Sequence, residues 1–489
     1  MKFLLDTNII IPVEPTASDG LEVNTVIIAS LIQAFQNGGH QYFVHQASLN
    51  ELKRDSDIQR RNTRSRLLGK YPVLKISMDI QPDVSIAYSD VKPNSHNITD
   101  QILLSALVSE AVDYFVTDDL GIHAKASQLG IASRVATSED ALSIIQALFP
   151  TEPRKIPALK SIFAYELDAK DPIFESFRKD YPDFDDWLSK CKREHRPVLT
   201  INVGDSQLQG VCILKKEDIC DYDLPLPTLK ICSFKVNEES RGLRYGELLL
   251  KGLFEYVTHK EFRTIYLETF EKQAALINLL TNFGFEVLES RSQKGELVLW
   301  KRLFYTNDEF QRTDPLEFNI RFGPRSLKMD NVGMFIVPII PKYHTMLFPD
   351  FEEQLDIFPG QNPFGNGIRK AYLCRANIRS IFPGDVVTFY RSHDLQALTV
   401  YGVVEEITVS NIPEEIARAV GKRTVYKFDE IQEMCSSEVL AISFRFCSMV
   451  DIPIKMKDLI SNNVLKAPPQ SIVSANQEGV KWLKQQLKK

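Results

Sequence analysis
The stretch Leu4-Leu5-Asp6-Thr7-Asn8 constrains this chain more than any other. A run of apolar residues ends in one acid, followed by a small hydroxyl and an amide. The pattern reads as a buried first strand with a carboxylate at its C-terminal mouth, the edge where parallel α/β sheets place ligands. Further acids stand at the same kind of position. Glu51 follows a helical stretch and sits in Ser48-Leu49-Asn50-Glu51. Asp100 opens a helix in Thr99-Asp100-Gln101-Ile102-Leu103, and Asp118 and Asp119 end the strand Val112 to Thr117. Taken singly, such an acid is an N-cap or the first residue of a turn. Taken together, convergent carboxylates repel unless a cation joins them, and hard oxygen ligands suit Mg²⁺ or Mn²⁺. An ion held that way activates a water and stabilises the phosphoryl oxygens of an in-line displacement.

A chain of 489 residues is too long for one core, so two to four domains are expected. The net charge of −6 excludes a general nucleic-acid sponge, and any RNA site must be a local basic patch. Seven cysteines without a Cys-x-x-Cys pair argue against zinc ribbons and a disulfide framework, and for a reducing cytoplasm. The chain enters its first strand at once, which leaves no room for a signal peptide. No apolar run approaches ~20 residues, so no membrane span is expected.

Within the first 150 residues, strands at Tyr42 to His45 and Asp113 to Thr117 alternate with helices at Leu21 to Gln36, Ile98 to Val108, Ile122 to Leu129 and Ser138 to Leu148. That alternation predicts a parallel sheet with helices on both faces. The helix from Ser48 is predicted to run on through Arg60, Arg61, Arg64, Arg66 and Lys70. These cations are either an RNA phosphate track or a solvated face. The LLDTN opening, the SLNE segment, the Thr-Asp before a helix and the closing Thr-Asp-Asp together resemble the PIN domain, a fold of metal-dependent ribonucleases that includes bacterial toxin nucleases. The resemblance implies Asp6, Glu51, Asp100 and Asp119 as catalytic metal ligands, with Asp118 a close alternative to Asp119. It also implies that Thr117 and Asn8 orient ligands or water.

Pro150-Thr151-Glu152-Pro153 is a polar, Pro-bearing break. Beyond it, strands at Val198 to Val203, Leu208 to Leu214 and Leu229 to Val236 have the spacing of an antiparallel meander. The last runs through Arg241-Gly242-Leu243-Arg244-Tyr245-Gly246 into a helix. A strand, a Gly-bearing loop and a helix N-terminus make an anion cradle. Residues 155–304 resemble a GNAT acyltransferase, whose loop of form Gln/Arg-x-x-Gly-x-Gly/Ala grips the pyrophosphate of acetyl-CoA. Arg241 matches the first position and Gly246 the last, and Arg244 replaces the middle glycine. The run Asn282-Phe283-Gly284-Phe285 matches the family's ending. Leu280 stands where many members carry a tyrosine that acts as general acid. The resemblance implies acetyl-CoA, or another acyl-CoA, held by Val236 and the loop residues Arg241, Gly242, Leu243, Arg244, Tyr245 and Gly246. Glu238, Glu239 and Glu268 are candidate bases.

From residue 308 to 489, short strands with frequent Phe, Pro and Gly predict a small mixed barrel. Strands are expected at Lys370 to Cys374, Asn377 to Ile381, Val386 to Arg391, Thr399 to Glu406 and Val439 to Phe446. The run from Ile368 through Pro383-Gly384-Asp385 to Glu406 resembles a PUA-like barrel of the ASCH or EVE sort. That resemblance implies RNA contacts at Arg369, Arg375 and Arg391, with Tyr390 and Tyr401 as stacking faces. The whole is an α/β multidomain chain: a PIN-like parallel sheet, a GNAT-like mixed sheet and a PUA-like barrel. The expected function is a cytoplasmic, metal-dependent ribonuclease of bacterial toxin type acting on RNA, tRNA included. The alternative is an N-acetyltransferase acting on RNA-linked or protein amines, with the flanking domains as RNA-binding or regulatory arms. A homo-oligomer or an antitoxin partner is compatible with either.

Overall fold
The computed structural model describes residues 1–13, 24–53, 71–76, 79–89, 95–150, 157–202, 207–237, 240, 243–349 and 367–487. Its chain forms two compact units. The first comprises Met1–Thr151 together with Ser410–Lys422 and Tyr426–Ser437, and the second comprises the remainder.

The first unit is built on five strands: β1 (Lys2–Leu5), β2 (Gln41–His45), β3 (Val73–Leu74), β4 (Tyr114–Val116) and β5 (Val135–Ala136). Their order is β3-β2-β1-β4-β5, and every pairing is parallel. β1 lies at the centre, and Phe3, Leu4 and Leu5 are fully buried because both faces of the sheet are covered. Leu4 and its register partner Phe115 pack with Leu103, Leu104, Leu107 and Ile122 on one face. Phe3 and its partner Tyr114 stack 5.5 Å apart on the other, with Phe35 4.4 Å from Phe3.

Two late helices, Pro413–Val420 and Phe428–Met434, complete this unit. Arg418 reaches Asp113 at 3.6 Å, and its carbonyl accepts the Tyr114 hydroxyl at 3.4 Å. Lys422 pairs with Asp140, and the Phe428 ring lies 5.0 Å from Phe149. Sequence spacing alone assigned these helices to the C-terminal segment.

The second unit holds two sheets. One has seven strands: β6 (Ala158–Phe163), β7 (Pro197–Asn202), β8 (Gly210–Glu217), β9 (Thr228–Val236), β10 (Thr264–Thr269), β11 (Glu286–Arg291) and β12 (Leu297–Arg302). In the order β11-β12-β10-β9-β8-β7-β6, all pairings are antiparallel except β9 with β10. The Tyr245–His259 helix buries Leu249, Leu250, Leu253 and Val257 against it.

The other sheet has six strands: β13 (Met334–Ile339), β14 (Arg369–Cys374), β15 (Val386–Arg391), β16 (Ala397–Ser410), β17 (Val439–Lys455) and β18 (Val473–Ser474). Their order is β14-β17-β16-β15-β13-β18, and among the described residues no β14–β18 pairing joins the ends into the expected barrel. The strand expected at Asn377 to Ile381 is absent, and residues 375–380 are irregular. There the Arg379 guanidinium takes the carbonyls of Ala376 and Ile378, which a strand would have offered to a neighbour.

Candidate functional site
At the C-terminal edge of the first sheet, Asp6 leaves β1 and caps the short Thr7–Ile10 helix, accepting from the Thr7 amide at 2.6 Å. Its other oxygen accepts the buried Thr117 hydroxyl at 2.6 Å. That hydroxyl in turn accepts from Asn8 Nδ2 at 3.0 Å and from the Asp119 amide at 3.1 Å. Residues 109 and 111 positions apart in the chain thus hold one another because β1 and β4 are neighbours. Thr117 and Asn8 sit where the sequence placed them, next to the acids.

Burial raises the Asp6 carboxyl, and the charge of Asp119 raises it further, against the hydrogen bonds from Thr117 and Thr7. Asp100 is pushed up to about 7, first by burial and then by the charges of Asp6, Asp119 and Glu51. The four acids spread over 114 positions of sequence therefore act on one another through space. Asp118 is engaged differently. It accepts from Asn24 Nδ2 at 2.9 Å, from the Ser138 amide at 2.8 Å and from the Ser138 hydroxyl at 2.9 Å. These bonds tie it to the start of the Ser138–Leu148 helix. Sequence reasoning missed Tyr88, whose buried phenol is raised by burial and by the charges of Asp100 and Asp119. No motif marks it; it caps the Pro82–Ala87 helix, and the packing of the following helices brings the charges of Asp100 and Asp119 to it. Arg60, Arg61 and Arg64 lie outside the described residues.

Carboxylate oxygens are the donor type that hard divalent cations take. Among the described residues, no group of three or more His, Cys, Asp or Glu side chains is arranged to hold a metal ion as it stands.

In the second unit, β9 and β10 pair from Thr228 and Thr264 up to Ile231 and Leu267. Beyond that point β9 continues to Val236 on β8 and β10 to Thr269 on β12, so the two parallel strands part. Cys232 is the extra residue of a bulge in β9 against β8, which helps to turn β9 away. Glu268, on the diverging part of β10, accepts from Tyr222 at 2.6 Å and from Lys230 at 2.8 Å. Both of its oxygens are engaged. Arg241, Gly242, Glu238 and Glu239 lie outside the described residues.

Arg244 departs from the anion-cradle expectation. It caps the Tyr245–His259 helix in a left-handed conformation (φ 59°). Its guanidinium is buried on Glu247, at 2.6 and 3.0 Å, and donates to the Arg369 carbonyl at 2.7 Å. The side chain is spent within the second unit, so only its backbone can serve a pyrophosphate. Tyr245 is likewise core, at 2 % exposure. Leu280 is fully buried in the same apolar cluster, so no hydroxyl stands at that position. Gly284 is a glycine for a steric reason: φ is +77°, and a Cβ there would lie 2.0 Å from the Ile320 carbonyl oxygen.

On the six-stranded sheet, Arg391 is held by Asp394 at 2.6 Å and Arg369 by Glu405 at 2.8 Å, while Arg375 is exposed. Tyr390 and Tyr401 are packed in the core and present no face for a base to stack on, contrary to expectation.

Comparison with known proteins follows this division. Residues 162–285 match the acetyltransferase (GNAT) family, and the chain carries a GNAT acetyltransferase domain there. Solved structures of two kinds are similar to parts of this chain. An IAA acetyltransferase from Bacillus cereus is 15% identical over 30% of this chain and 100% of its own, with a TM-score of 0.24. A GNAT-family acetyltransferase from Staphylococcus aureus has the same identity, coverage and TM-score. An ASCH protein from Zymomonas mobilis is 13% identical over 31% of this chain and 94% of its own, with a TM-score of 0.25. No curated protein matches the chain. No helix among the described residues is long and apolar enough to cross a membrane.

Proposed function
We propose that the chain joins two chemistries: acyl transfer from acyl-CoA in the second unit and metal-dependent cleavage of RNA in the first. The GNAT family match over residues 162–285 carries the first part. An acyl-CoA would supply the activated acyl group, entering between the parted ends of β9 and β10. The helix that starts at Tyr245 offers its N-terminal dipole to the pyrophosphate. Of the candidate bases, Glu268 would have to give up its bond to Tyr222 or Lys230 to take a proton from an amine, and Leu280 requires another group to protonate the leaving thiolate. Incubation with radiolabelled acetyl-CoA and a panel of RNA-linked, peptide and small amines tests this reading. Bound acetyl-CoA without transfer to any of them would count against it.

The mutual action of Asp6, Glu51, Asp100 and Asp119 supports the second part. Mg²⁺ or Mn²⁺ held by these acids would activate a water and shield the phosphoryl oxygens. Thr117 fixes the Asp6 carboxylate, and Asn8 fixes Thr117, so the first acid keeps its rotamer as the metal loads. Discrete cleavage of total cellular RNA that needs divalent metal and is lost in Asp6→Asn is the expected result. Intact RNA in every metal would leave acyl transfer as the sole activity. The toxin type of action, an antitoxin partner and RNA choice by the six-stranded sheet belong to the same reading.

A further inference from the structure
Three guanidinium groups converge on one carboxylate in the second unit. Arg369 Nε donates to Glu405 Oε2 at 2.8 Å, and Arg445 Nη1 donates to Oε1 at 3.1 Å. Arg423 Nη1 stands 3.8 Å from Glu405 Oε2, beyond hydrogen-bond reach. That Nη1 is buried and has no hydrogen-bond partner among the described residues. The adjacent Arg244–Glu247 pair is closed on itself, with a Glu247 oxygen also accepting the Ile368 amide at 2.9 Å. It lends no net charge. Glu406 acts on Arg369 only after Glu405 and Glu247. Among the described residues, three guanidinium groups therefore share Glu405 as their nearest counter-charge, with Glu247 acting on each of them more weakly.

Folding alone gives no reason for this surplus. A buried guanidinium that shares one counter-charge with two others is costly, and burial, followed by the Arg369 charge, pushes Arg423 down to about 10. The arrangement is also reachable. The Arg369 and Arg423 side chains are 28% and 20% exposed, while Arg445 is the deepest at 5%. Glu405 holds two of the forks in place and leaves the third with donors to spare. A tetrahedral oxyanion of two negative charges would balance the surplus and take bidentate bonds from planar forks.

We propose that Arg369, Arg423 and Arg445, oriented by Glu405, form a binding site for a phosphate group, presented either by a small phosphomonoester or by an RNA backbone. Within the second unit the site adjoins Arg244, the cap of the Tyr245–His259 helix, through the Arg369 carbonyl. Arg423 is its free fork, and Glu405 sets its strength by partly neutralising the other two.

The test uses the full chain in phosphate-free buffer, with inorganic phosphate, 3′-AMP and a single-stranded RNA decamer as probes. Thermal shift and calorimetry should show stabilisation by phosphate, and Arg423→Gln should weaken binding at least about ten-fold. Arg423→Gln should also unfold no earlier than the wild type without phosphate, because it removes an unbalanced charge. Loss of 3′-AMP binding with unchanged RNA affinity would assign the site to a phosphomonoester. A fall of about one in the salt slope for RNA would assign it to the backbone. Should Arg423→Gln not fold, Arg423→Lys, which keeps the charge and loses the fork, should weaken phosphate binding several-fold. Equal binding of all three probes by the wild type and the folded variant, or no phosphate binding by the wild type at tens of millimolar, would overturn the proposal.

Discussion
His40 makes the first unit sensitive to mild acid. Its ring is 8% exposed and boxed by Phe149, Phe3 and Phe35, with centroids at 4.4, 6.0 and 6.5 Å. Its Nε2 has no hydrogen-bond partner among the described residues. Burial first, and then the N-terminal ammonium, lower its pKa from 6.5 to about 4. As pH falls, the unfolded chain therefore takes up a proton before the folded one. The contribution of this histidine is intact above pH 6.5, declines between 6.5 and 4, and changes no further below 4. At about 1.4 kcal/mol for each pH unit in that window, the loss is about 2 kcal/mol at pH 5 and roughly 3 kcal/mol in full. His40→Phe keeps an aromatic ring in an aromatic box and removes the proton site. It should erase this part of the pH dependence and stabilise the unit by about 1 kcal/mol at pH 7.5, since a buried unpartnered nitrogen is lost. Hydrogen exchange of Lys2–Leu5 at pH 7.5, 6 and 5 reads the unit directly. Trp187, Trp300 and Trp482 all lie in the second unit, so tryptophan fluorescence is the control in which the variant should match the wild type. A wild type and a His40→Phe variant with the same pH slope at β1 would refute the reasoning.

Further tests address the sites. With divalent metal chelated, Asp100→Asn should raise the unfolding midpoint of the first unit, because it removes one of four like charges, while abolishing metal-dependent RNA cleavage. A lowered midpoint would show that the acids do not repel. Leu280→Tyr should destabilise the second unit by about 2 kcal/mol or more, since a fully buried core position cannot take a phenol, and should not increase acyl transfer. A gain in transfer rate would show that the position faces the acyl-CoA. Gly284→Ala should cost on the order of 2–4 kcal/mol in denaturant unfolding, from the positive φ and the Ile320 carbonyl together, and a loss below ~1 kcal/mol would mean the turn rearranges freely.

Much of the first site was legible in the chain because strand ends and helix starts are local. An apolar run that stops at Asp6 announces a strand mouth, and Thr99-Asp100 announces a helix start. Periodicity also predicted the alternation that becomes the parallel sheet around β1. The strand, Gly-bearing loop and helix leading to Gly246 were readable for the same reason, and so was Gly284 at a helix end. That Asp118 and Asp119 are engaged differently is decided by tertiary structure, because Asn24 and Ser138 reach one carboxylate and not its neighbour. The burial of Tyr88 beside the acids depends likewise on helix packing. Arg244 read as a loop residue until the structure closed it on Glu247 and on a carbonyl 125 residues away. The assignment of residues 410–437 to the first unit, and the meeting of Arg369, Arg423 and Arg445 at Glu405, have no local signature. Hydrophobic period and capping act within a few residues, whereas a buried charge finds its partner only when distant segments are brought together by the core.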